Sequence, residues 1–370
     1  MFSVKALLES NSLTSVPSKY VFPKSSDDYI SSESEIIPTI DLSMLTSGTP
    51  DQRSKVIQEI GNACREWGFF MVINHGVPET LIDEIIGGFN SFYNLAEEEK
   101  IEFAGKQLFD PIRYGTSFNV KVDKTFSGGI ISSCGSIPTS MLLINPLVSG
   151  SSVTPKRMGY LGLFGYNSTY PFIYLFYASS ETILEYCKRT REVASELMRG
   201  ISKSLKLEES YIQKAMDLDL GSQLLVANLY PPCPRPEDTI GLPPHTDHGL
   251  LTLLIQNELP GLEVMHNGKW VSVNAPPNSF LVNTGDHMEI LTNGIYKSVI
   301  HRAVVNNKAT RISIATAHGP PLDTVVSPAS KLVDCESHGP AYRGINYREY
   351  LELQQSKKLD GKSCLDLVRI

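Results

Sequence analysis

Among the eight histidines and forty acidic residues of the chain, two imidazoles and one carboxylate are spaced so that they could share a metal ion. His245 and Asp247 stand two positions apart in PPHTDHG. In a strand, residues i and i+2 leave the same face, so both side chains can reach one ion. His301, in KSVIHRAVV, lies 54 positions after Asp247 (301 − 247), a separation that a jelly roll can fold back to bring two strands side by side. Two His and one carboxylate with open coordination positions suit non-haem Fe(II) and reactions with O2. Ten residues further on comes Arg311-Ile312-Ser313, again an i, i+2 pair. A buried guanidinium beside a hydroxyl is a receptor for a small dicarboxylate, because Arg offers paired charge-assisted hydrogen bonds.

Taken singly these pieces are commonplace. An H-x-D triplet occurs in turns by chance, and a strand histidine is more often a satisfied core residue. Their order, spacing and strand context together carry the specificity. The remaining histidines, His75, His248, His266, His287, His318 and His338, are read as non-ligating, with His248 and His287 the nearest to lining a cavity. Cys233 sits among the prolines of YPPCPRP and reads as part of a rigid turn rather than as a ligand.

Elements able to position these groups can be read from patterning. Ile37 to Leu42 alternates as a short strand, and QRSKVIQEIGNACREWG has helical spacing that Gly68 stops. FFMVINHG reads as a buried strand, and an amphipathic helix starts near Pro78, with Leu81, Ile85, Ile86, Phe89 and Phe92 on one face. Residues 181–216 are expected to be helical. From 222 to 317 eight short strands are expected, SQLLVANLY, LLTLLIQ, GLEVMH, KWVSV, SFLVN, MEIL, KSVIHRAVV and RISIATA, a density that indicates an antiparallel sandwich or jelly roll. A helix around Tyr347–Gln355 follows. The fold class is therefore mixed α/β, with a double-stranded β-helix core, flanking helices and an N-terminal α/β region.

Composition narrows the function. With 33 Lys+Arg against 40 Asp+Glu the formal charge is −7, which argues against a nucleic-acid coat or an anionic-membrane binder. No apolar run reaches the 18 to 20 or so residues of a spanning helix. Six scattered cysteines include no C-x-x-C pair, so a zinc ribbon is out. The expectation is a reduced, soluble, cytoplasmic protein acting on a small molecule as a monomer. One stretch stands apart: residues 125–180 contain only two charged side chains, Lys156 and Arg157, where about eleven would be usual.

As a set, IPTIDL, ACREWGFFMVINHGV, RYGTSFNV, NLYPPCP, GLPPHTDHGLLTLL, GLEVMHNGKWVSV, NTGDHMEILTNGIYKSVIHRAVV and RISIATAHGPP resemble the plant 2-oxoglutarate- and Fe(II)-dependent dioxygenases. That family includes flavanone hydroxylases, gibberellin oxidases and oxygenases of the downy-mildew-resistance type. The resemblance implies that His245, Asp247 and His301 hold Fe(II). It implies that Arg311 and Ser313 hold the distal carboxylate of 2-oxoglutarate, with Tyr230 adding a hydrogen bond and Asn228 a weaker candidate. It further implies that O2 is consumed, that succinate and CO2 are released, and that ascorbate keeps the iron ferrous.

The domain reading that follows is a polar leader over 1–35, an N-terminal dioxygenase region over 36–124 and an anomalous low-charge insert over 125–180. A long helical region over 181–216, the Fe(II)/2-oxoglutarate core over 217–320, and a C-terminal tail and helix over 321–370 complete it. In relatives the insert position carries a tryptophan-arginine-aspartate motif and a His-Pro-His-like loop. A one-base shift of frame over 127–149 rebuilds a string of that kind, so that segment reads as frame-shifted and 150–180 as intron read-through. Two alternatives stand beside the hydroxylase or desaturase: an ascorbate-using oxidase of the same fold, and a non-catalytic binding protein.

Overall fold

The computed structural model describes residues 16–22, 36–100, 112–115, 130–134, 171–333, 339–356 and 361–370. Strand β1 (Thr39–Asp41) leads into the short helix α1 (Leu42–Thr46), then α2 (Pro50–Glu66), β2 (Phe69–Ile73), α3 (Glu79–Tyr93) and α4 (Glu97–Lys100). Thr49 and Gln52 form a reciprocal capping box that starts α2, satisfying amides which a helix start leaves open. Gly68 ends the turn after α2 at φ +59°, pressed against the carbonyl of Lys297 and the Val299 side chain. Only glycine has both the dihedral freedom and the room there.

Next come β3 (Ile112–Gly115), β4 (Ile130–Cys134), the long helix α5 (Pro171–Ser204) and α6 (Tyr211–Ala215). The strands β5 (Ser222–Tyr230), β6 (Leu242–His245), β7 (Leu251–Gln256), β8 (Leu262–His266), β9 (Lys269–Ser272) and β10 (Phe280–Thr284) follow. Helix α7 (Asp286–Leu291), β11 (His301–Ala303), β12 (Arg311–Gly319), β13 (Val325–Val326), β14 (Ile345–Asn346), α8 (Tyr347–Ser356) and α9 (Ser363–Asp366) complete the chain.

Two sheets carry the core. The larger has the order β1-β2-β10-β7-β12-β5-β4-β3 and the smaller β6-β11-β8-β9. Between them Phe69, Met71 and Leu281 of the large sheet pack on Leu262, Val264 and Val299 at the small one. On the other face of the large sheet, Leu225, Ala227, Ile312 and Ile314 join Tyr186, Leu197 and Ile201 of α5 and Ile60 of α2 in the main apolar cluster. Period-2 alternation along β5 and β12 thus sends apolar residues to the helices and leaves Asn228, Tyr230, Arg311 and Ser313 for the interior between the sheets.

Several expectations need correction. MEIL belongs to helix α7, not a strand. All six residues of α7 are buried, the polar Asp286, His287 and Glu289 included, so no solvent-exposed face exists to give it a helical period. KSVIHRAVV pairs only over His301–Ala303. A further strand, β6, was hidden by Pro243 and Pro244; it lies at a sheet edge, where missing amide donors are tolerated. The helix expected over 181–216 starts at Pro171 and stops at Ser204. Its first ten residues, PFIYLFYASS, are too uniformly apolar to show a period. It stops where Lys206 turns to φ +59° and the Leu207 amide donates back to the Ser202 carbonyl. The leader also docks in part: Tyr20 is buried and the Phe22 amide donates to the Asp238 carbonyl at 2.9 Å. Of residues 125–180, β4 and the start of α5 are described; the rest of the stretch on which the frame-shift and read-through reading falls lies outside the described residues.

Candidate metal and dicarboxylate site

β11 lies between β6 and β8, with His301 opposite both His245 and Val264. That register sets the two imidazole rings 4.3 Å apart, centroid to centroid. Asp247 does not share a strand with His245, as the i, i+2 argument supposed; β6 ends at His245 and Asp247 stands in the turn beyond it. The turn nevertheless brings Asp247 Oδ1 to 3.7 Å from Nε2 of His245 and 3.7 Å from Nε2 of His301. Ligand atoms of all three lie within 4.8 Å of one another, and this is the one such group among the described residues.

Backbone carbonyls orient both rings. His245 Nδ1 faces the Pro243 carbonyl at 2.8 Å and His301 Nδ1 faces that of Val299 at 3.1 Å. Each leaves Nε2 as the free nitrogen toward Asp247, the arrangement that fixes a ligating tautomer. Burial and the neighbouring His301 push His245 down to about 4, so its ring is neutral at physiological pH. Burial works to raise Asp247, but His301 and His245 outweigh it and hold the carboxyl at about 2. Two imidazoles, each with Nε2 turned inward, and an anionic carboxylate fit a divalent iron site. On the far side of β11, Arg302 is locked to Glu263 at 2.7 Å and covers Trp270, which keeps His301 turned inward.

Arg311 pairs in register with Tyr230, and Ser313 with Asn228. The Arg311 guanidinium is 1% exposed, lies 5.0 Å from the Tyr230 ring centroid, and donates through Nη2 to Gln256 Oε1 at 2.7 Å. Its Nε and Nη1 have no hydrogen-bond partner. A buried cation with unused donors is costly unless an anion completes it, and a carboxylate of a small acid has the matching shape. Burial raises the Tyr230 hydroxyl against the pull of Arg311, so it remains a protonated donor beside Arg311 and Ser313.

Residues 221–320 match the 2OG-Fe(II) oxygenase superfamily, and residues 37–130 match the N-terminal region of the non-haem dioxygenase in morphine synthesis. A 2-oxoglutarate-dependent dioxygenase 19 of Oryza sativa subsp. japonica is 39% identical over 344 residues, 91% of this chain and 91% of that protein. The chain belongs to the 2OG-Fe(II) oxygenase superfamily. Thebaine 6-O-demethylase of Papaver somniferum is 34% identical over 97% of this oxygenase and 93% of its own length. A crystal structure of JOX2 in complex with 2OG, Fe and JA superposes with a TM-score of 0.82 at 28% identity, covering 100% of this oxygenase and 98% of that chain. The family consists of 2-oxoglutarate-dependent dioxygenases, oxidoreductases that use Fe(II).

The other histidines of the oxygenase are engaged elsewhere. His75 lies 3.1 Å from the Asn278 carbonyl, His266 stacks on Trp67, and His318 sits against Gln223. His248 and His287, read as non-ligating but nearest to a cavity, are both held toward the C-terminal helix α8. His248 Nδ1 meets the Tyr347 hydroxyl at 2.9 Å, and His287 Nδ1 meets the His248 carbonyl with its ring edge-on to Tyr347 and Tyr350. His338 lies outside the described residues. Cys233 is held in a turn, its amide donating to the Asn306 carbonyl at 2.7 Å. Sequence reasoning missed Asn283, which donates to Asp247 Oδ2 at 2.9 Å, and Gln256. Strand alternation puts both on the interior face, which was the signal available.

Proposed function

We infer that this oxygenase binds Fe(II) through His245, Asp247 and His301, and 2-oxoglutarate through Arg311, Ser313 and Tyr230 with Asn228 nearby. On that site it hydroxylates or desaturates a small plant metabolite, consuming O2 and releasing succinate and CO2. The observation that carries the reading is the unused Nε and Nη1 of buried Arg311, in the same interior as a three-ligand cluster. The iron, when bound, supplies the oxidising chemistry. The protein's own part is to orient three ligands on one side, anchor a dicarboxylate by Arg311, and exclude water between two sheets.

The substrate class is supported by what relatives are named for: thebaine and codeine demethylation in Papaver somniferum and flavanone oxidation in Oryza sativa. A soluble cytoplasmic monomer with no nucleic-acid or membrane partner, kept active by ascorbate, completes the proposal. No helix among the described residues is long and apolar enough to cross a membrane. Regions 36–124 and 217–320 are the proposed functional units. Unused Arg311 donors favour 2-oxoglutarate over the ascorbate-using oxidase, and the low-charge stretch 125–180 is what favours the non-catalytic alternative.

Anaerobic titration with Fe(II) and then 2-oxoglutarate tests the reading. A weak visible band that appears with both and is absent in Asp247→Ala is the expected result. No band in well-folded protein overturns it in favour of a non-catalytic protein.

A further inference from the structure

The turn that carries His245 and Asp247 is held at every residue. Pro244 accepts at its carbonyl from the amide of Gly361 at 3.2 Å, and His245 bridges to Gly361 as an isolated parallel pair. Thr246 accepts at its carbonyl from Gln354 Nε2 at 3.2 Å, and its hydroxyl donates to Asp286 Oδ2 at 3.1 Å. The Asp247 carbonyl accepts from the Asp286 amide at 2.8 Å. His248 meets the Tyr347 hydroxyl, and Asp286 Oδ2 receives a second donor, the Tyr350 hydroxyl, at 2.5 Å.

Four of these partners, Tyr347, Tyr350, Gln354 and Gly361, come from one C-terminal segment. That segment lies beyond residue 320, where the superfamily match ends. Spacing explains the set: positions 347, 350 and 354 are i, i+3 and i+7, so α8 presents one face to the turn. The seat is also fitted, since a Cβ on Gly319 would collide with the Tyr347 hydroxyl. Without α8 the Thr246 carbonyl would lose the Gln354 amide and Asp286 Oδ2 the Tyr350 hydroxyl, both buried partners.

We propose that the C-terminal segment, through Tyr350, Gln354 and Tyr347, positions the His245–Asp247 turn for metal binding rather than merely covering the core. These are positioning residues: they act through Asp286, Thr246 and His248 and touch no ligand atom. The inference rests on the metal reading above.

The test is anaerobic Fe(II) titration of the full chain well below its melting transition, followed by the visible band with 2-oxoglutarate. Tyr350→Phe and Gln354→Leu are each expected to weaken Fe(II) binding about tenfold and to move the band. Arg348→Ala, on the same helix but paired with exposed Asp323 at 3.1 Å, is expected to match wild type. Should Tyr350→Phe fail to fold, Gln354→Leu and Tyr347→Phe carry the comparison. Unchanged Fe(II) affinity and band in folded variants overturn the inference, as does an equal loss in Arg348→Ala. Wild type that binds no Fe(II) overturns the metal reading itself.

Discussion

Asn283 donates to Oδ2 of Asp247 at 2.9 Å while Oδ1 of the same carboxylate faces Nε2 of both His245 and His301 at 3.7 Å. One oxygen is tied back to β10 and the other faces the two imidazoles, so Oδ1 is the oxygen that would hold a metal. Asn283→Leu removes the tie without adding charge. Fe(II) affinity is expected to fall ten- to a hundredfold or so, the usual cost of losing a partner behind a ligand. Anaerobic titration measures it, and affinity equal to wild type would show that Asn283 does not orient the carboxylate.

Arg311 gives a prediction of opposite signs for two measurements. Its Nε and Nη1 are buried and unpaired, so Arg311→Met removes an uncompensated charge and should leave the ligand-free protein as stable as wild type or more so. The same change should weaken 2-oxoglutarate binding by about a hundredfold, roughly 3 kcal/mol, with Fe(II) affinity retained. Thermal melting with and without 2-oxoglutarate separates the two effects, since a ligand that binds only the folded state raises Tm. A 2-oxoglutarate-dependent rise as large in Arg311→Met as in wild type would remove Arg311 from the site.

Much of the core was legible because alternation is a local signal. β5 and β12 read directly, and their polar interior positions, Asn228, Tyr230, Arg311 and Ser313, are the ones where alternation breaks from aliphatic. His245, Asp247 and His301 were legible because few chemistries use that set. What failed had physical reasons. β6 carries two prolines in four residues, and α7 is buried all round, so neither shows its period. The contacts of Tyr347, Tyr350 and Gln354 span 64 to 108 residues of sequence, and nothing in an amphipathic helix says which distant turn its polar tips will meet.

Gly68 tests how the N-terminal region supports the site. It sits at φ +59° where a Cβ would strike the Lys297 carbonyl and the Val299 side chain, and Val299 holds His301 Nδ1. Gly68→Ala is therefore expected to cost about 2 to 3 kcal/mol through strain and overpacking and to weaken Fe(II) binding as well. Urea unfolding reads the first effect and metal titration the second. Loss of stability with unchanged metal affinity would mean that the strain is absorbed before it reaches β11.

Two buried histidines outside the ligand set contribute to the loss of stability in acid. Burial, with His248 adding to it, pushes His287 down to about 3; burial, with Arg191 adding to it, does the same for His318. In the unfolded chain both take up protons near 6.5, so as pH falls below that value the unfolded state binds more protons and stability drops. The contribution is fully present above about 6.5 and is lost progressively down to about 3. At pH 5 to 4 the two extra protons these histidines place on the unfolded chain contribute about 2.7 kcal/mol per pH unit to the slope. Asp286, raised to about 6 by burial, works in the opposite sense: its contribution is fully present below about 4 and lost as pH rises through 6. It therefore offsets part of the histidine slope between those values. Urea midpoints should be level from pH 8 to about 6.5 and fall below it, less steeply between 6 and 4 where Asp286 opposes, and His318→Asn should remove about one proton from the slope while lowering stability at pH 8. A slope unchanged in His318→Asn would mean that His318 takes up its proton at the same pH whether the chain is folded or not.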